Sequence, residues 1–120
     1  MTQQKVKFRA WDGIEKKMVY DVIIANGKAF YKLPSGLPGG VISPEPLQFT
    51  GLHDKNGKEI YKGDMVKDRA GLGEIIFEEG QFVIRWLFEN TKETWQMDRK
   101  FKDSEVIGNI YENPELLKTE

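Results

Sequence analysis

The stretch YKGDMVKDRAGLGEIIFEEGQFVIRW, Tyr61 to Trp86, decides the fold class. Tyr61 to Asp64 is a tight turn, and Met65-Val66-Lys67 then starts a strand. Asp68 to Gly73 reads as a loop. Glu74 to Glu78 and Gln81 to Trp86 are β-rich runs joined across Glu79-Gly80, the signature of a hairpin. A strand after a Gly-Asp turn, followed by a bent hairpin, looks like the opening of an SH3-like barrel. It would make residues 50–111 a small barrel.

The same rhythm holds outward in both directions, with turn signals every eight to twelve residues, so the chain reads as mainly β. Val6 to Trp11 alternates, with Val6, Phe8 and Ala10 on one face. Asp12-Gly13 turns the chain toward Met18-Val19-Tyr20. Val22 to Ala25 and Lys28 to Leu33 flank Asn26-Gly27, whose two residues tolerate the positive φ of a tight hairpin turn. Pro34 to Gly40 cannot be expected to hold regular structure, which leaves Val41-Ile42 as a brief strand. Asp54 to Gly57 is a further turn. Val106 to Tyr111 reads as a buried strand. Asn113 as N-cap and Pro114 at the first helical position mark a short C-terminal helix. Residues 87–104, which contain Trp95, are polar and give no clear element. The expected architecture is thus N-terminal β-hairpins plus a small C-terminal SH3-like barrel or curled antiparallel sheet, closed by that helix. Its core should hold Val66, Ile75, Phe77, Phe82, Ile84, Val106, Ile107, Ile110 and Tyr111.

A chain of 120 residues suits one domain, and residues 34–46 are the plausible internal boundary, giving 1–46 and 47–120. With 39% hydrophobic and 31% charged residues the composition is that of a soluble globular protein. No apolar run approaches the roughly 20 residues that span a bilayer, and the N-terminus lacks a secretion signal. A cytoplasmic location and no membrane partner are therefore expected. The absence of cysteine excludes disulfides, thiolate catalysis and cysteine-ligated metal centres. With the single His53, a histidine-based metal site would need a second chain. The net charge of −1 lacks the basic excess typical of proteins that coat DNA.

Three segments together resemble the YopX family, small proteins encoded mainly by bacteriophages and prophages. They are KFRAWD (Lys7 to Asp12), FTGLHDKNGKEIYKGDMV (Phe49 to Val66) and EVIGNIYENPELL (Glu105 to Leu117). The resemblance implies a phage origin, a bacterial cytoplasmic location and a mostly β fold. It implies no activity, because the family is one of unknown function, and it carries over no site residues.

Candidate sites read from the residues favour structure over chemistry. Asp64 follows glycine at a turn, where a carboxylate ordinarily accepts backbone N–H bonds. His53-Asp54 sits at a turn with no nucleophile assembled beside it. Asp54, Asn56 and Glu59 lack the spacing of a calcium loop, and no phosphate-binding fingerprint is present. Asn109, set between apolar residues, is expected to pin backbone or a bulge. Lys62, Lys67, Arg69, Arg85 and Lys100, with Trp86 beside them, could form a basic and aromatic strip for single-stranded nucleic acid. Interspersed acidic residues make an ordinary mixed surface the expected outcome. No catalytic, metal or cofactor site is assigned, and no cofactor is expected. The reading is a non-enzymatic accessory protein that binds a host or phage macromolecule, the alternative being a nucleic-acid-binding module in phage replication or transcription. Phe30, Tyr31 and Leu33 beside the Pro/Gly loop further suggest that the N-terminal hairpins pack against a second copy.

Overall fold

The structure, a computed structural model, describes residues 6–43, 45–69, 71–87, 94–96 and 103–117. The chain divides into two compact units, Met1–Phe49 and Thr50–Glu120. The division falls within one strand.

The first unit opens with the hairpin of β1 (Phe8–Asp12) and β2 (Lys17–Tyr20), in which Ala10 pairs with Val19 and Trp11 with Met18. Asp12 fixes the turn: its Oδ1 accepts the N–H of Ile14 at 2.9 Å and of Glu15 at 3.0 Å. A carboxylate that binds the backbone two and three residues ahead substitutes for a backbone turn. The next hairpin joins β3 (Ile23–Ala25) to β4 (Lys28–Lys32) through Asn26 and Gly27, whose φ angles are 52° and 75°. Those values are the reason Asn-Gly suits the two-residue turn. The strand β5 (Pro38–Ser43) completes a three-stranded sheet in the order β3-β4-β5.

That strand corrects the sequence reading, which gave Pro34 to Gly40 no regular structure. An edge strand admits proline at its first position, where no ladder N–H is needed. Gly39 then lets the backbone run close to β4: a Cβ there would lie 3.1 Å from Leu33 Cδ2 and 3.3 Å from Tyr31 Cβ. The ladder is irregular, with register shifts between Ala29 and Phe30 and between Phe30 and Lys32. The first residues of β6 (Leu47–His53) pair with β1, Arg9 opposite Leu47. Ala10, Ala29, Leu47 and Phe49 are buried.

In the second unit the rest of β6 neighbours β7 (Glu59–Tyr61), and the Thr50 hydroxyl donates to the Ile60 carbonyl at 2.7 Å. Five further strands form an antiparallel, curled half-barrel sheet. They are β8 (Asp64–Asp68), β9 (Gly71–Glu78), β10 (Gln81–Trp86), β11 (Thr94–Gln96) and β12 (Glu105–Asn109). The order is β11-β10-β9-β8-β12, so the last strand returns to pair with the first. This is the strand order of an SH3-like barrel. Among the described residues no ladder joins β11 to β12.

Val66, Ile75, Ile84, Trp86 and Val106 form the core with Ile60, and Leu52 and Phe82 pack against it. Three details differ from the sequence reading. Gly73 is a strand residue rather than part of a loop, because β8 and β9 already pair at Asp68 and Gly71. It provides clearance: a Cβ there would sit 2.4 Å from Ile84 Cγ2. Phe77 is 49% exposed, because it lies at the hairpin tip beyond the core. It packs edge-on against Phe82 with ring centroids 5.0 Å apart. Ile107 is 38% exposed, because the β8–β12 register shifts between Val106 and Gly108 and leaves it outside the ladder. Ile110 and Tyr111 are half-buried. The C-terminal helix is one 3-10 turn, Pro114–Leu117.

Candidate functional site

Three polar side chains that the sequence singled out, Asp54, Asp64 and Asn109, are buried in the second unit. Each is engaged with backbone. Asp54 Oδ1 accepts the N–H of Asn56 at 2.8 Å and of Lys58 at 2.9 Å, while Oδ2 accepts the N–H of Val106 at 2.9 Å. Burial alone pushes the Asp54 carboxyl pKa up. The N–H groups of Val106, Lys58 and Asn56, with the Lys58 charge, outweigh it and hold the group below its ordinary value. Asp64 Oδ2 accepts the Tyr61 N–H at 2.8 Å and so closes the Tyr61–Asp64 turn. Asn109 Oδ1 accepts the N–H of Tyr111 at 3.0 Å and of Glu112 at 2.8 Å, and its Nδ2 donates to Glu112 Oε1 at 2.9 Å. Asn113 Oδ1 accepts the Asn109 N–H at 3.2 Å, and its carbonyl accepts the Leu116 N–H at 3.0 Å at the start of the helical turn.

Bonds of this kind join the second and third of the segments that carry the family resemblance. Lys55 donates its N–H to the Ser104 carbonyl and Ile110 donates to the Gly63 carbonyl, both at 2.9 Å. Gly63, at φ 91°, leaves room for the Tyr111 ring, 3.2 Å from where a Cβ would stand. The motif residues therefore serve as clamps. Among the described residues no group of three or more His, Asp or Glu side chains is placed to hold a metal ion.

The proposed basic strip is dispersed. Arg85 forms an ion pair with Glu74, its cross-strand partner in the β9–β10 ladder. Lys67 stands opposite Glu105 across β8 and β12. Lys67 and Arg69 are exposed and Lys62 is half-buried. Trp86 is 1% exposed inside the core cluster, so its indole is not presented for stacking on a base. The burial has a physical cause: the strand alternation that buries Ile84 buries Trp86 as well. Lys100 lies outside the described residues, as does most of the polar stretch 87–104.

The first unit has a different character. Tyr31 donates its hydroxyl to Asp12 Oδ2, tying β4 to the β1–β2 turn. This bond, then burial and the charges of Asp12 and Glu15, raises the Tyr31 pKa to about 12. The Tyr31 hydroxyl, followed by the Glu15 N–H, lowers that of Asp12. With Ala29 and Tyr31 facing that way, alternation places Lys28, Phe30 and Lys32 on the opposite face of β4. Across the sheet Ile23, Phe30 and Val41 then line up in one row. Val41 is 56% exposed, and Leu33 and Leu37 at the β4–β5 turn are 44% and 63% exposed. This row was not legible as a site, because its register depends on the irregular β4–β5 ladder.

A family model described as "YopX protein" matches residues 7–118. The chain therefore belongs to the YopX family. Among solved structures it is similar to protein EF1440 from Enterococcus faecalis, at 28% identity and a TM-score of 0.66. The match covers 97% of this chain and 100% of that one. No curated protein matches. Among the described residues no helix is long and apolar enough to cross a membrane.

Proposed function

We propose that this YopX-family protein is a phage-encoded accessory protein that acts in the bacterial cytoplasm by binding another protein, without catalysis. The binding surface is the outer face of the β3-β4-β5 sheet. One observation carries this reading: the row Ile23–Phe30–Val41 crosses all three strands, with Val41 more than half exposed. A contiguous apolar surface of this kind marks an interaction site more often than scattered apolar residues do. Lys28 and Lys32 border the row and give it a polar rim. The carboxylates weighed as candidates for chemistry, Asp54 and Asp64, accept bonds from backbone N–H groups.

The test is affinity purification of the tagged full chain from infected or lysogenic cells, beside Val41→Asp. Val41 is exposed, so the variant melts with the parent. Proteins that co-purify with the parent should be lost with Val41→Asp. An unchanged set of partners would sink the reading. Nucleic acid in place of protein in the parent eluate would favour a nucleic-acid-binding module instead.

A further inference from the structure

The two edges of the β3-β4-β5 sheet are built differently. Edge strands are ordinarily blunted by proline, charge or bulges, since their unpaired backbone groups template pairing with another chain. The β5 edge has such devices: Pro38 opens it and two register shifts break its ladder. The β3 edge is short, three residues, but Ile23-Ile24-Ala25 carries no proline, charge or bulge and pairs with β4 in unbroken register.

The two-residue turn fixes which backbone groups face outward. Ala25 and Lys28 close the Asn26–Gly27 turn as a hydrogen-bonded pair. The next pair, Ile24 and Ala29, is then non-hydrogen-bonded. The N–H and C=O of Ile24 therefore point away from β4, into the open edge.

We propose that a second copy of this chain covers that edge, with the two β3 strands antiparallel about a two-fold axis at Ile24. Each Ile24 exchanges both backbone hydrogen bonds with its counterpart, and Ile23 lies opposite Ala25 of the second copy. At either end Asp21 of one copy comes beside the turn that leads into Lys28 of the other. Both residues are exposed, and their opposite charges favour this direction, although Asp21 also stands 3.6 Å from Lys32 Nζ of its own chain. A parallel arrangement would set Asp21 beside Asp21, which like-charge repulsion disfavours. The resulting interface is isologous, as a closed dimer requires. It uses the edge of the sheet and leaves the outer face free, so Val41→Asp preserves this dimer and the two readings fail separately.

The chain contains no cysteine, so single cysteines in the full-length protein report the register. The Cα separation of a hydrogen-bonded antiparallel pair, about 5.5 Å, suits a disulfide. Under mild oxidation Ile24→Cys should give a covalent dimer, and Ile23→Cys alone should not. Ile23→Cys combined with Ala25→Cys should restore cross-linking. Light scattering of the parent should give the mass of two 13.9 kDa chains. Of the backbone hydrogen-bond donors Ile24→Pro removes the outward N–H alone, and it should give the mass of one. Should that variant not fold, the exposed pair decides. Asp21→Lys or Lys28→Asp alone should weaken the dimer severalfold, and the two together should restore it. A parent of single-chain mass at millimolar concentration overturns the proposal. So does a dimer that survives both Ile24→Pro and the single charge changes, or one that cross-links equally through Ile23→Cys.

Discussion

The two units put comparable sequence to opposite uses. In the second, a core of Ile60, Val66, Ile75, Ile84, Trp86 and Val106 is closed by side chains that bind backbone. In the first, a three-stranded sheet leaves Val41, Leu33 and Leu37 in solvent. The motifs that identify the family lie mostly in the second unit and are consumed in holding it together. A family can thus be recognised with confidence from residues that say nothing of its activity. What the protein binds must be sought where motifs are absent.

The largest test of this contrast is a pair of truncations. Ile75→Ala removes a fully buried side chain, and the lost burial plus the remaining cavity should cost ~2–5 kcal/mol in urea unfolding. Val41→Ala, on the exposed row, should change stability by no more than ~0.5 kcal/mol. Equal losses at the two positions would show that the outer face of the sheet is covered within the molecule.

Asp54 comes next. Asp54→Ala strips acceptors from three N–H groups, of which that of Val106 is buried. An orphaned buried donor costs about 1–3 kcal/mol, and the turn donors can reach water, so a loss of about 2–3 kcal/mol is expected. Because the folded carboxyl is held below its unfolded value of about 3.9, its contribution is complete above that pH. It disappears as pH falls through the folded pKa. Asp54→Asn should therefore flatten the acid limb of a stability–pH curve. An unchanged acid limb would mean that the clamp contributes nothing as an anion.

How much of this was legible depended on whether a signal was local. The Asn26-Gly27 and Glu79-Gly80 turns, the Asp64 turn and the buried, satisfied Asn109 all follow from chemistry within a few residues of chain. The strand order follows too, because a return strand after a hairpin has few places to pair. Phe77 and Ile107 failed for separate reasons: alternation does not give how far the core extends along a strand, which leaves Phe77 beyond it, and no local pattern encodes the register shift that leaves Ile107 outside the ladder. Trp86 failed the other way. Its size and its basic neighbours suggested a surface platform, while register with Gly73 placed it in the space that the glycine vacates. The apolar row of the first unit depends on two register shifts, and no local pattern encodes those.

Tyr31 offers a smaller, more selective probe of the first unit. Its hydroxyl donates to Asp12, and its pKa is raised to about 12 against an ordinary value near 10. The folded state therefore holds this proton more tightly than the unfolded one. The associated stability is complete below pH ~10 and is lost as pH rises toward the folded value. A phenolate absorbance titration should show a late component that Tyr31→Phe removes. If Tyr31→Phe leaves the late part of the titration unchanged, the Asp12 contact is not maintained in solution.

The smallest expected effect is on nucleic acid, and it separates the two functional readings. Neutralising several phosphates at once needs cationic side chains that converge and are free of acidic partners. Here Arg85 is paired with Glu74 and Lys67 faces Glu105, while the aromatic side chain among them, Trp86, is buried. Lys67 and Arg69 remain exposed, enough for weak, sequence-independent attraction. Single-stranded oligonucleotides should accordingly bind more weakly than about 10⁻⁵ M at physiological salt, within the usual non-specific range. The salt slope should be shallow, and Lys67→Ala with Arg69→Ala should flatten it further. Fluorescence anisotropy against single- and double-stranded oligonucleotides decides the matter. Micromolar binding with a steep salt dependence, abolished by Arg85→Ala together with Lys100→Ala, would move function from the hairpin sheet of the first unit to the curled sheet of the second.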